Sequence, residues 1–162
     1  MTSPTSLPDF SAPTPSRLDQ VMAVLTQLGV NPEIDSEGDV SIRVNDQQLY
    51  VRVSDDGPGI VRVFGQWQIL DDISADPGVR FGAAHHVTAT HALVKVNIFN
   101  DTLAVAVDNL APEGARFDVL LSNSIDAVLS GVSTWHRLIV ESSAPTTGDG
   151  DAPAEGSPGS GQ

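Results

Sequence analysis

The chain contains no cysteine. That absence excludes disulfides, thiolate zinc sites and a cysteine nucleophile together. Cations are scarce too: 8 Lys+Arg stand against 21 Asp+Glu, a formal charge of −13 over 162 residues. A surface of that sign repels phosphate backbones and anionic headgroups, so no nucleic acid and no membrane surface is expected as a partner. Lys95 is the sole lysine beside seven arginines. That usage, with abundant Ala, Val, Asp and Gly, is typical of GC-rich bacterial genomes. No base precedes Arg17, so the basic start of a secretory signal is missing. No apolar run approaches the ~18 residues that a membrane span needs. The expected location is the cytoplasm.

What is present is unevenly distributed. Residues 1–15 carry Pro4, Pro8, Pro13 and Pro15 among Ser and Thr, and residues 142–162 are rich in Gly, Pro and Ser. Neither segment offers enough apolar surface to offset its ordering entropy, so both are expected to be disordered tails. The remaining segment, 16–141, is the size of one compact domain. Of the 21 acids, Asp9, Asp149, Asp151 and Glu155 fall in the tails, leaving seventeen against eight bases in the domain. The folded part is itself acidic.

Periodicity predicts the elements. Ser16 is a plausible N-cap for a helix carrying Leu18, Val21, Met22, Leu25 and Leu28, with Gly29 at its stop. Val40, Ile42 and Val44 then alternate with polar residues, as do Leu49, Val51 and Val53, and Val61, Val63 and Trp67. Period two with short polar loops means antiparallel hairpins with one buried face. Taking Asn45 to Gln48 as the first loop pairs Val44 with Leu49 and Ile42 with Val51; the second hairpin pairs Val51 with Val63. Asp76 and Pro77 open a second helix with Val79, Ala83, Ala84 and Val87 as its stripe. Val94, Val96 and Ile98 answer Leu103, Val105 and Val107 around an Asn100-Asp101 turn. Phe117, Leu120, Leu121, Ile125, Val128 and Val132 form a closing helix, which Gly131 ends or kinks before Trp135. The expected architecture is α+β, in the order α-β-β-β-α-β-β-α, with an antiparallel sheet of about five strands under helices.

Three stretches carry a family resemblance. They are Leu18-x-x-Val21 to Gly29, His91-Ala-Leu-Val-Lys95-Val-Asn-Ile-Phe-Asn-Asp101, and Phe117-x-x-Leu-Leu121-x-x-x-Ile125-x-x-Val128. Over residues 16–140 the chain resembles the YbjN-type domain of bacterial sensory-transduction regulators, similar in fold to type III secretion chaperones. The resemblance implies a chaperone-like or regulatory adaptor that binds a polypeptide and pairs with itself as a homodimer. It supplies no site residues, because its motifs are apolar spacings and turns. A sensory regulator holding a small molecule between sheet and helices is the other function compatible with it.

Catalytic constellations are wanting. His85 and His86 are adjacent and diverge by about 100° on a helix, whereas chelation from a helix wants a spacing of three or four. Neither has a carboxylate three or four residues on, and His91 follows further along, so no metal site is expected. A structural or surface role is expected for the three histidines; the adjacent pair could also titrate as a mild pH sensor, but nothing in the sequence selects that reading. Glu33-Ile-Asp35-Ser-Glu37-Gly38 imitates the start of a calcium loop, but Val44 stands where the bidentate Glu is required. Asp55-Asp56 and Asp71-Asp72 read as capping or loop acids. There is no G-x-S-x-G and no G-x-x-x-x-G-K-[ST]. The chain is expected to be no enzyme and to need no cofactor.

One constellation remains. In these registers Arg43, Arg52 and Arg62 point away from the core, with Arg43 opposite Tyr50, Tyr50 opposite Phe64, and Arg52 opposite Arg62. Tyr and Arg carry binding energy at interfaces, so Arg43, Tyr50, Arg52, Arg62 and Phe64 are the candidate partner-binding residues. The competing reading is an ordinary solvated sheet face shielded by arginine stems. On the first reading, an acidic body displays one locally basic, aromatic patch.

Overall fold

A computed structural model describes residues 14–70, 73 and 76–143. Apart from Thr14, Pro15, Ser142 and Ser143, the two expected tails lie outside the described residues. The elements are α1 (Arg17–Gln27), β1 (Glu33–Ile34), β2 (Val40–Val44), β3 (Gln47–Ser54), β4 (Ile60–Gln68), α2 (Pro77–Thr90), β5 (Val94–Phe99), β6 (Thr102–Leu110) and α3 (Phe117–Ser143). The strands form one antiparallel sheet in the order β1-β2-β3-β4-β6-β5. The α+β arrangement follows the expected order with one strand more. β1 pairs only Glu33 with Ser41 and Ile34 with Val40. Two residues are too few for alternation to be visible, and Pro32, which has no N–H, precedes them.

Local chemistry fixes the helix ends. Ser16 caps α1 in a reciprocal box with Asp19, and Asp76 caps α2 ahead of Pro77. α3 runs two residues past Glu141 and passes through Gly131. That glycine does not end it. A Cβ at Gly131 would sit 3.1 Å from Val105 Cγ1 and 3.2 Å from Val94 Cγ1, so the residue lets the helix lie close on the sheet.

All three helices cover one face. Val21 and Leu25 of α1, Ala83, Ala84 and Val87 of α2, and Phe117, Leu121, Ile125, Val128, Trp135 and Ile139 of α3 pack on Ile42, Leu49, Val51, Val61, Val63, Leu103, Val105 and Val107. Each of the larger side chains contributes roughly 1.5–3 kcal/mol by leaving water. Leu28, expected in the stripe of α1, is 44% exposed beyond the last turn.

The β2–β3 register differs from the expected one by two residues. Ile42 pairs with Leu49, Val40 with Val51, and Arg43 with Gln48, not Tyr50. The cause is a turn of only two residues: Asn45 and Asp46 both take positive φ, 49° and 60°. That is the tight hairpin geometry whose twist matches the strands. Gln47 and Gln48 belong to β3 and not to the loop. A shift of two keeps every side chain on its own face, so the core set is unchanged. Asn100 and Asp101 form the corresponding turn between β5 and β6, at φ 46° and 55°.

Candidate functional site

Among the described residues, the second face of the sheet carries no helix. Its side chains come from the alternate positions of β3, β4, β6 and β5, and they fall into rows that cross the strands. Arg52 stands opposite Arg62, and Arg62 opposite Asp108. Tyr50 stands opposite Phe64, Phe64 opposite Ala106, and Ala106 opposite Lys95. Gln66, Ala104 and Asn97 form the next row. Together with Asp35, Glu37 and Asp39 from the β1–β2 corner, these residues, Asp108 apart, line a concavity of about 530 Å³.

Two like charges directly across a ladder repel. Arg52 and Arg62 are held apart by a carboxylate on the outer side of each. Arg52 donates from Nε and Nη2 to Asp39 at 2.8 and 2.6 Å. Arg62 donates from the same pair of atoms to Asp108 at 2.5 and 3.0 Å, and Lys95 adds a bond of 2.8 Å to Asp108. Asp39 is only 4% exposed, so its charge depends on this bidentate partner. The hydrogen bonds from Arg62, with those of Lys95 behind them, push Asp108 down to about 2 against the opposing effect of burial. Hydrogen bonding to Asp39, reinforced by its charge, raises Arg52, and the bond to Asp108 raises Arg62.

The aromatic row packs on this frame. The Tyr50 and Phe64 rings stack with centroids 5.4 Å apart and planes 26° apart. The guanidinium carbon of Arg52 lies 5.5 Å from the Phe64 centroid, within cation–π range.

The structure thus brings Tyr50, Arg52, Arg62 and Phe64 together and leaves Arg43 aside. Arg43 is exposed near the hairpin end, is absent from the concavity, and makes no ion pair among the described residues. The expected basic patch is also corrected. Asp39 and Asp108 pair with both arginines, and with Lys95, Asp35 and Glu37 the face holds three bases against four acids, so it is aromatic but not basic. Asp39, Asp108, Lys95, Gln66, Asn97 and Phe99 were missed by sequence reasoning. The pairing of β4 with β6, which carries Asp108 to Arg62 across 46 residues, leaves no local trace.

The remaining candidates disperse. His85 and His86 are exposed on α2. The Nε2 of His91 lies 3.4 Å from Ser130 Oγ and 3.4 Å from Thr134 Oγ1. Among the described residues no group of three His, Asp or Glu is arranged to hold a metal. Asp35 accepts from the backbone N–H of Glu37 and Asp39, which makes it a turn former.

The family described as T3SS (YopN, CesT) and YbjN peptide-binding chaperone 1 matches residues 17–130. The chain belongs to this family. Two solved structures share the fold of this family member. An uncharacterized protein from Methanothermobacter thermautotrophicus superposes with a TM-score of 0.54 at 12% identity, covering 76% of this chain and 96% of that one. YbjN from E. coli superposes with a TM-score of 0.53 at 13% identity, covering 78% and 91%. No curated protein matches the sequence. Membership makes the domain one of a peptide-binding chaperone type, and among the described residues no helix is long and apolar enough to cross a membrane.

Proposed function

We propose that this chain is a non-enzymatic, cytoplasmic binding module that holds a segment of another polypeptide against the open face of its sheet. The observation that carries this reading is the concavity, which no helix covers among the described residues and where an aromatic stack and two bidentate arginines line one surface. Aromatic and arginine side chains dominate binding energy at protein interfaces, and these are already held in place by their neighbours. Membership of a peptide-binding chaperone family supports the same conclusion. A photo-crosslinking residue at position 50 tests it in the native cell, with position 140 on the exposed side of α3 as control. Adducts with polypeptide are expected from position 50 alone. Equal adducts from both positions, or none from position 50, reject the site.

Self-association is part of this reading. Leu93, Leu110 and Val119 are exposed beside one recess at the start of α3, and they support a homodimer. Light scattering that gives a monomeric mass at high concentration rejects it.

A second reading has its own observation. A recess of about 540 Å³ opens between the end of β4 and α3, lined in part by Trp67, Leu103, Val132 and Trp135. It fits an apolar small molecule and the role of a sensory regulator. A saturable rise in melting temperature with one metabolite, absent with its analogues, favours this reading over the polypeptide one.

A further inference from the structure

The open face has a floor and two walls. β6 presents Ala104 and Ala106 where its neighbours present long side chains. Phe64 and Gln66 rise from β4 on one side; Lys95, Asn97 and Phe99 rise from β5 on the other. The walls are two strand spacings apart, roughly 10 Å. Ala104 lies between Gln66 and Asn97, and neither carboxamide bonds to another described residue.

We infer that this trough seats an extended, acid-poor segment of the partner polypeptide, held mainly by its main chain between Gln66 and Asn97. The inference rests on the open-face reading above. In an extended strand the N–H and C=O of one residue point to the same edge, and those of the next residue point to the other. A carboxamide offers an acceptor and two donors, the complement of one such N–H and C=O pair. Gln66 and Asn97 therefore take successive residues of a strand laid over β6. The alanine floor gives the backbone room to approach, and side chains pointing inward meet Phe64 and Phe99.

Charge selects the composition. Asp39 and Asp108 are already occupied by five hydrogen bonds from Arg52, Arg62 and Lys95. Arg52 and Arg62 bind through Nε and Nη2, so the Nη1 donors of both have no partner among the described residues. The concavity thus offers donors to neutral carbonyls. A carboxylate would accept from them too, but it would compete with Glu37, which at 76% exposure already lies 3.8 Å from Arg52 Nη2, and would meet a chain of net charge −13. A cationic residue beside the trough gains from the same field.

Random peptides displayed on phage and selected on the full chain supply the probe; an enriched sequence is then synthesised with a fluorophore. Anisotropy titrations compare the native chain with Gln66→Ala/Asn97→Ala and with Tyr50→Ala/Phe64→Ala. Selected peptides are expected to be poor in Asp and Glu. The carboxamide double variant should weaken binding about tenfold. Backbone N-methylation should weaken binding at the two successive residues that Gln66 and Asn97 take, and not at those on either side. Enrichment of acidic peptides, or unchanged affinity in Gln66→Ala/Asn97→Ala, overturns the inference. If Tyr50→Ala/Phe64→Ala abolishes binding while the carboxamide variant does not, the trough is wrong and the open-face site stands. If neither variant affects binding, both fall.

Discussion

On β3 and β4, residues 49, 51, 61 and 63 face the helices, while residues 50, 52, 62 and 64 face outward. The first set is Leu and Val, fully buried; the second is Tyr, two Arg and Phe, each at least partly solvated. The covered face follows the simplest folding rule, removal of apolar area from water. The outer face breaks a rule of sheet construction by placing two arginines opposite each other, then repairs it with carboxylates from β2's approach and from β6. A surface that only needed solubility could carry Thr, Ser or an opposite-charge pair there at no such cost. On the proposed reading, the covered face determines whether the chain folds and the outer face what the folded chain meets.

The sharpest way to break that division is to damage each face and read both properties. Leu121→Ala, on the buried side of α3, should lower unfolding free energy by about 2–5 kcal/mol in denaturant titrations, with probe-peptide affinity unchanged below the transition. Asp39→Ala is the matching change outside. It leaves Arg52 facing Arg62 without its carboxylate, which should lower stability by about 1–3 kcal/mol and also loosen Arg52 from Phe64. A loss of stability with peptide binding intact would show that the charge row is only structural scaffolding.

The covered face was the more legible of the two. Its apolar alternation survives any even shift of register, so Ile42, Leu49, Val51 and Val63 were placed correctly although β2 was paired two residues off. The same dipeptide, Asn-Asp, makes both tight hairpin turns, yet only Asn100-Asp101 is legible as one in the sequence. At Asn45-Asp46 the polar Gln47 and Gln48 imitate a longer loop, and their strand character comes from pairing with Val44 and Arg43. Gly131 shows another limit. A glycine needed for close approach to Val105 and Val94 is indistinguishable, in sequence, from one that ends a helix. The outer face depends on register and strand order. Tyr50–Phe64 and Arg52–Arg62 were found because β3 and β4 are neighbours in sequence and in space. Asp108 reaches Arg62 only because β6 inserts between β4 and β5, so the neutralisation of the patch was invisible.

Acid sharpens the comparison, because Asp108, with Arg62 and Lys95, joins three strands on the outer face. Asp108 falls from 3.8 to about 2 on folding. A depressed carboxylate contributes stability that is fully present above its unfolded pKa and is lost as pH falls through the folded one. Between about pH 4 and pH 2 the chain should therefore lose stability. Asp108→Asn should be less stable by about 1 kcal/mol at neutral pH and flatter across that window. Parallel pH profiles for the two proteins would remove Asp108 from the account. Asp118, lowered to about 2 by Arg116 at the start of α3, titrates in the same window in both proteins and does not separate them.

The smallest effect is expected at Arg43, and it divides the outer face itself. By residue type and by alternation Arg43 belongs with Arg52 and Arg62. By position it stands opposite Gln48, exposed, outside the concavity and without an ion pair among the described residues. Arg43→Ala should change stability by less than about 0.5 kcal/mol and leave peptide affinity unaltered. Arg52→Ala, by contrast, removes the partner of a buried carboxylate and the cation over Phe64, and should lower both. If Arg43→Ala weakens binding as much as Arg52→Ala does, affinity tracks the number of cations on the face and not their placement. The organised row from Asp39 to Asp108 would then contribute no recognition, and the two faces would differ only in solvation.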